Sequence, residues 1–190
     1  MKNLLLSIFA ITCLLQWFVP LNMIWSQEKI LKEGTVFKFK TRPVDPTDPF
    51  RGKYIVLNFE ADIFKTSNLE AWEEGDKVYV LIKNDDEGFA QIATIEKTKP
   101  LEKVHFIEAT IKQIWGKNPY RIQVSYPFER FYMEENKAPE AEKLVRQLMR
   151  QTDTQIYAKV WVKAGKAALD DVIVGDESIK THTKIQLIHQ

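Results

Sequence analysis

From Asn3 through Gln27 the chain carries no charged residue, and most positions between Leu4 and Trp25 are large and apolar. A helix needs about 20 predominantly apolar residues to cross a bilayer, so this segment is long enough to span one. A helix on a soluble core keeps a polar face; this stretch has almost none. Trp17, Phe18 and Trp25 gather toward its end, as rings at a membrane interface do. Gln16, Pro20 and Asn22 weaken its second half. No small-x-small cleavage site follows, so the segment reads as an uncleaved signal anchor. Thr12 stands where a lipoprotein signal places a small residue before its cysteine, which argues against acylation of Cys13. Lys2 and the free amine precede the span without an acid. Lys29 and Lys32 follow it, interleaved with Glu28 and Glu33. The positive-inside rule then leaves the N-terminus inside and the remainder outside. The expected organisation is a transmembrane anchor over 1–28 and an extracytoplasmic domain over 29–190, held at a cytoplasmic (inner) membrane.

What remains beyond the anchor suits one domain, large enough to bury a core unaided. Lysine plus arginine is 27 and aspartate plus glutamate 26, so no basic excess points to nucleic acid. Cys13 is the one cysteine and lies in the anchor. Neither a disulfide framework nor a thiolate zinc site is available to the domain. His105, His182 and His189 are far apart and read as ordinary strand or surface residues. No metal or cofactor is expected.

Alternation with period two recurs along the domain and marks strands. Val36–Lys40 sends Phe37 and Phe39 to one face. Tyr54–Ala61 sends Ile55, Leu57, Phe59 and Ala61 to one face. Val78–Lys83 is a nearly continuous apolar run, as in a central strand, with Gln91–Glu96 as its partner. Phe106–Ile114 turns Ile107, Ala109 and Ile111 inward; Arg121–Tyr126 does the same with Ile122, Val124 and Tyr126. Tyr157–Lys163 and Leu169–Val174 read as a hairpin turned at Ala164-Gly165-Lys166. Ile185–Ile188 reads as a last short strand. The fold class expected is mainly β (α+β): an antiparallel β-barrel or sandwich-like domain with one amphipathic helix.

Turn signals separate these runs, among them Glu74-Gly75-Asp76 and Gly116-Lys117-Asn118-Pro119. The acidic run Asn84–Glu87 lacks the ligand spacing of a calcium loop and reads as a solvated hairpin turn. The helix is expected at Pro139–Arg150. Proline suits a first turn, Glu140 and Glu142 suit the positive end of the dipole, and Arg146 and Arg150 suit the negative end. Ala141, Leu144, Val145 and Leu148 form its apolar stripe.

The least ordinary segment is Arg42-Pro43-Val44-Asp45-Pro46-Thr47-Asp48-Pro49-Phe50-Arg51-Gly52. Prolines every third residue remove donors and fix φ, so a central strand is excluded. Residues before them are driven to extended conformations. The loop is expected to be stiff, presenting Asp45, Asp48 and Arg51. It leads into Gly52-Lys53-Tyr54-Ile55-Val56-Leu57-Asn58-Phe59, which resembles the signature of the GDYXXLXY family of bacterial membrane-anchored proteins. The aromatic stretch from Tyr126 and the glutamates Glu134 and Glu135 extend the likeness. Lys53 stands where the signature has aspartate, which argues against an essential carboxylate there. Phe59 stands where it has tyrosine and keeps the ring. The resemblance implies a multi-pass membrane protein as partner and no established activity.

Two function classes follow. One is a binding or assembly module at the membrane surface, with Asp45, Asp48, Arg51, Tyr54 and Glu134 as candidate ligand or partner contacts. The other is a carboxylate-dependent hydrolase or small-ligand-binding domain, with Asp45, Asp48, Glu134 and Glu135 supplying acid and base. No nucleophile elbow, phosphate loop or metalloprotease helix motif occurs, and no residue is assigned a catalytic role. The module is the favoured reading, and an enzyme the less favoured one.

Overall fold

The computed structural model describes residues 2–42, 54–68, 72–101, 104–132, 155–175 and 177–179. The chain begins with one long helix, α1 (Lys2–Glu33), which continues through Pro20. At 1.5 Å per residue it is about 48 Å long. Phe9, Leu14, Leu15, Trp17, Phe18, Val19 and Met23 are all largely exposed, and they point to every side of the helix. The side chains of residues 2–6, Ile8 and Ala10 are not described. Among the described residues, no helix is long and apolar enough to cross a membrane.

The remainder is mainly antiparallel β. One five-stranded sheet runs β12 (Glu177–Ser178), β11 (Lys166–Val174), β10 (Ile156–Lys163), β1 (Thr35–Arg42), β3 (Asn58–Phe59). The second runs β4 (Ile63–Thr66), β8 (Tyr120–Ser125), β7 (Phe106–Trp115), β5 (Lys77–Asn84), β6 (Ala90–Glu96). A two-stranded ribbon joins β2 (Tyr54–Val56) to β9 (Arg130–Tyr132). Bridges at Lys38↔Phe89 and Ile107↔Gly165 draw the two large sheets toward a barrel-like closure. The Glu108 amide donates to the Gly165 carbonyl at 2.8 Å.

The inward residues of both sheets make one core. Phe39, Val80, Ile107, Ile122, Val124, Ala158 and Val160 are fully buried. At one end Phe39, Phe59, Tyr126 and Phe128 form an aromatic plug. Phe39 meets Phe59 edge-on at 5.5 Å and Phe128 at 5.2 Å, and Tyr126 stacks on Phe128 at 5.0 Å. Such geometries add to the area these rings bury.

No linker separates helix from sheet. Glu33 ends α1, Gly34 turns the chain, and Thr35 opens β1. Ile30 is buried. A Cβ on Gly34 would lie 2.5 Å from the Ile30 carbonyl oxygen and 3.1 Å from that of Val162, so only glycine fits without a shift. Lys163 pairs with Glu33, and Lys166 Nζ donates to Ser26 Oγ at 2.9 Å. The end of α1 is thereby clamped to the β10–β11 hairpin.

Most expected strands are present. Val36–Lys40 lies in β1 with Phe37 and Phe39 inward. Val78–Lys83 lies in β5, flanked by β6 and β7. The β10–β11 hairpin extends further than expected, from Lys166 rather than Leu169, because Ala164 and Gly165 alone make the turn at positive φ (48° and 88°). The Asn84–Glu87 run is a hairpin turn gathered by Asp85, whose Oδ1 accepts from the amides of Glu87 at 3.0 Å and Phe89 at 2.8 Å. Tyr54–Ala61 is not one strand. It breaks into β2, β3 and a 3-10 turn at Glu60–Asp62. The Leu57 amide leaves the ladder to donate to the Glu129 carbonyl at 2.8 Å. Leu57, Phe59 and Ala61 nevertheless share the buried side, as the alternation requires. The expected helix at Pro139–Arg150 and the strand at Ile185–Ile188 lie outside the described residues.

Candidate functional site

The proline-rich segment leaves the sheet at Arg42 and returns at Tyr54. At its stem lies a polar cluster that the sequence did not announce. Arg42, the last residue of β1, reaches Asp62 on the 3-10 turn. Its Nη2 donates to Oδ1 at 2.7 Å and to Oδ2 at 2.6 Å. Gln123 on β8 donates from Nε2 to the same Oδ2 at 2.9 Å. Asp62 is 4% exposed and is the one buried charged residue among those described. The Arg42 side chain remains about a third open, and its buried Nε has no hydrogen-bond partner among the described residues.

Neighbouring groups hold this arrangement in place. The Tyr126 hydroxyl donates to the Ala61 carbonyl at 2.5 Å, so the aromatic plug fixes the turn that presents Asp62. Burial pushes the Tyr126 hydroxyl far above its usual range, and nearby Asp62 and Glu129 push it further. The Tyr126 amide donates to Glu129 Oε1 at 3.0 Å. Burial also raises Asp62 above the ordinary carboxylate value, and the bonds from Gln123 and Arg42 pull it partly back. Both oxygens of Asp62 are engaged, and its surroundings are closed. The cluster therefore acts as a brace between β1, the 3-10 turn and β8.

The candidate contacts from sequence fall mostly elsewhere. Asp45, Asp48, Arg51 and Glu134, together with Glu135, lie outside the described residues. The Tyr54 backbone opens β2 and pairs with Tyr132. That register makes the chain enter β2 and leave β9 at one end of the ribbon. Arg42, Asp62 and Gln123 were missed because nothing local links them. One signal was present: Asp62 is flanked directly by apolar residues, Ala61 on one side and Ile63-Phe64 on the other. Among the described residues, no group of three histidine, cysteine, aspartate or glutamate side chains is placed to hold a metal ion.

The GDYXXLXY signature can be read on this frame. Leu57 and Phe59, two of its side-chain positions, are 1% exposed and belong to the core. The chain belongs to the GDYXXLXY family: the family model, described as GDYXXLXY protein, matches residues 16–172. No curated protein matches significantly. No solved structure does either.

Proposed function

We propose that this chain is a membrane-anchored binding or assembly module, with α1 in a cytoplasmic membrane and the β domain on its outer face, and that it serves a multi-pass membrane protein. One observation carries the reading: the outer surface of α1. Phe9, Leu14, Trp17, Phe18 and Trp25 are each between 69% and 73% exposed, and no charge interrupts the sequence around them. A bilayer removes such surface from water. The clamp at Gly34, Lys163 and Lys166 supports the second half of the proposal. A domain fixed to its anchor presents one face at a constant height and angle, as an assembly element requires. Asp45, Asp48, Arg51, Tyr54 and Glu134 are the residues assigned to partner contact.

Two measurements test it. Full-length protein and its Cys13→Ala variant are both expected to stay in the membrane through an alkaline wash; release of either would sink the anchor. Photo-crosslinkers placed at 45, 48 and 51 in native membranes are expected to capture one multi-pass protein reproducibly, with loss of capture in Arg51→Lys at unchanged melting temperature. A variant that melts early would instead make Arg51 a brace.

A further inference from the structure

We infer that the groove between the end of α1 and the β10–β11 turn receives the headgroup of a zwitterionic, primary-amine phospholipid. The inference rests on the membrane-anchored reading and goes beyond it by naming a ligand.

The groove is open to solvent and has a volume of about 450 Å³. Asn22, Met23 and Ser26 of α1 line one wall, and Glu108, Gly165 and Lys166 of the domain line the other. Its height is set by the helix. About 20 apolar residues cross the hydrocarbon layer, so a span starting at Leu4 ends near Met23. The next two turns, to Ile30, then run through the headgroup layer, with Trp25 exposed beside them as an interfacial ring. The groove opens at that level.

Its chemistry is dipolar. Lys166 and Glu108 line the same groove without pairing with each other. Lys166 Nζ spends one of its three donors on Ser26 Oγ, at 2.9 Å. Glu108 accepts no hydrogen bond from a described side chain, and its carboxylate lies against the turn. A Cβ on Gly165 would come within 3.0 Å of Glu108 Oε1 and 2.7 Å of the Phe106 ring. The glycine keeps the wall low there. A phosphate meets the free donors of Lys166, and the ammonium two carbons further along the headgroup meets Glu108. A purely anionic headgroup would meet Glu108 as a like charge. A choline headgroup has no N–H to give it.

The test uses the full chain in vesicles of phosphatidylcholine alone, or with added phosphatidylethanolamine or phosphatidylglycerol. Co-flotation reports anchoring, and native mass spectrometry of the extracted protein reports the lipid retained. Expected is flotation with every composition and preferential retention of phosphatidylethanolamine. That retention should fall about tenfold in both Glu108→Gln and Lys166→Gln, the loss of one charge-assisted bond each. Both positions are exposed, and unchanged melting confirms that each variant is folded; an early-melting variant is replaced by Glu108→Asp or Lys166→Arg, expected to keep partial retention. Flotation with equal retention of ethanolamine and choline lipids overturns this inference and leaves the anchor standing. So does retention of phosphatidylglycerol that depends on Lys166 alone. Failure to float overturns both.

Discussion

Arg42 and Asp62 stand twenty positions apart and meet through a single guanidinium nitrogen that donates to both carboxylate oxygens, at 2.7 and 2.6 Å. The pair is lopsided. Asp62 is buried, whereas Arg42 is about a third open to solvent. Water can therefore replace Asp62 for Arg42, but not Arg42 for Asp62.

The two single substitutions are expected to differ for that reason. Arg42→Met strands a buried carboxylate and should cost about 3 kcal/mol, at the low end for a broken buried pair. Asp62→Asn leaves an amide that still engages Gln123 and an arginine that can hydrate, and should cost about 1 kcal/mol. Urea melts of the two variants check this. Equal costs would mean that the cluster is wetter than its burial indicates.

The pH dependence of this cluster has a definite sign. Burial holds Asp62 above its ordinary value of 3.8 in the folded state. The folded chain then binds more protons than the unfolded chain in the window just above that value. Its contribution is present in full below 3.8 and is lost as pH rises through the raised value. The stability of wild type relative to Asp62→Asn is therefore expected to fall as pH rises above 3.8 and through the raised value. Glu33 and Asp76, whose carboxyls are lowered by their lysine partners, have the opposite sign but are common to both proteins and cancel. A difference that grows with pH would show that the pairing with Arg42 outweighs burial.

The strands were legible because alternation reports burial directly. Phe37 and Phe39 in β1, or Ile107, Ala109 and Ile111 in β7, can face one core only in that register. The break at Leu57 was not legible. The residues keep alternating while the backbone changes partner, from Phe131 across the ribbon at Ile55 to Arg42 on β1 at Asn58. Hydrophobic pattern carries no record of which ladder an amide joins. The brace was hidden for a related reason. Gln123 reaches Asp62 only once β4 has paired with β8, with Ile63 opposite Gln123. The proline spacing marks a segment that starts directly after Arg42. Arg51 lies outside the described residues; the arginine described beside the segment is Arg42, which pairs with Asp62.

Gly34 is expected to tolerate no side chain. A Cβ there would approach the Ile30 carbonyl to 2.5 Å, and a backbone atom cannot rotate away. Gly34→Ala should cost about 1–3 kcal/mol, the range for overpacking. It should act by prising α1 from β10. Hydrogen exchange is expected to speed up in the last turn of α1 and the first residues of β1, with β5 and β7 unchanged. Uniform acceleration across both sheets would place the effect in the whole fold instead of the junction.

Ile30 sets where the domain can be cut from its anchor. It is 5% exposed although it belongs to α1, so its packing serves the domain. A chain beginning at Leu31 keeps every strand but loses that side chain, together with the Gly34 amide bond to the Ile30 carbonyl at 2.9 Å. Burial of an isoleucine is worth about 1.5–3 kcal/mol. A chain beginning at Gln27 retains Ile30 and drops Trp25, Ser26 and the apolar stretch before them; Glu33 is common to both chains. Both truncated chains are expected to fold cooperatively, with the longer one more stable by about 2 kcal/mol. Ile30→Ala in the longer chain should remove most of that advantage. If the two melt together, the packing of Ile30 does not serve the domain and the last turn of α1 belongs to the anchor.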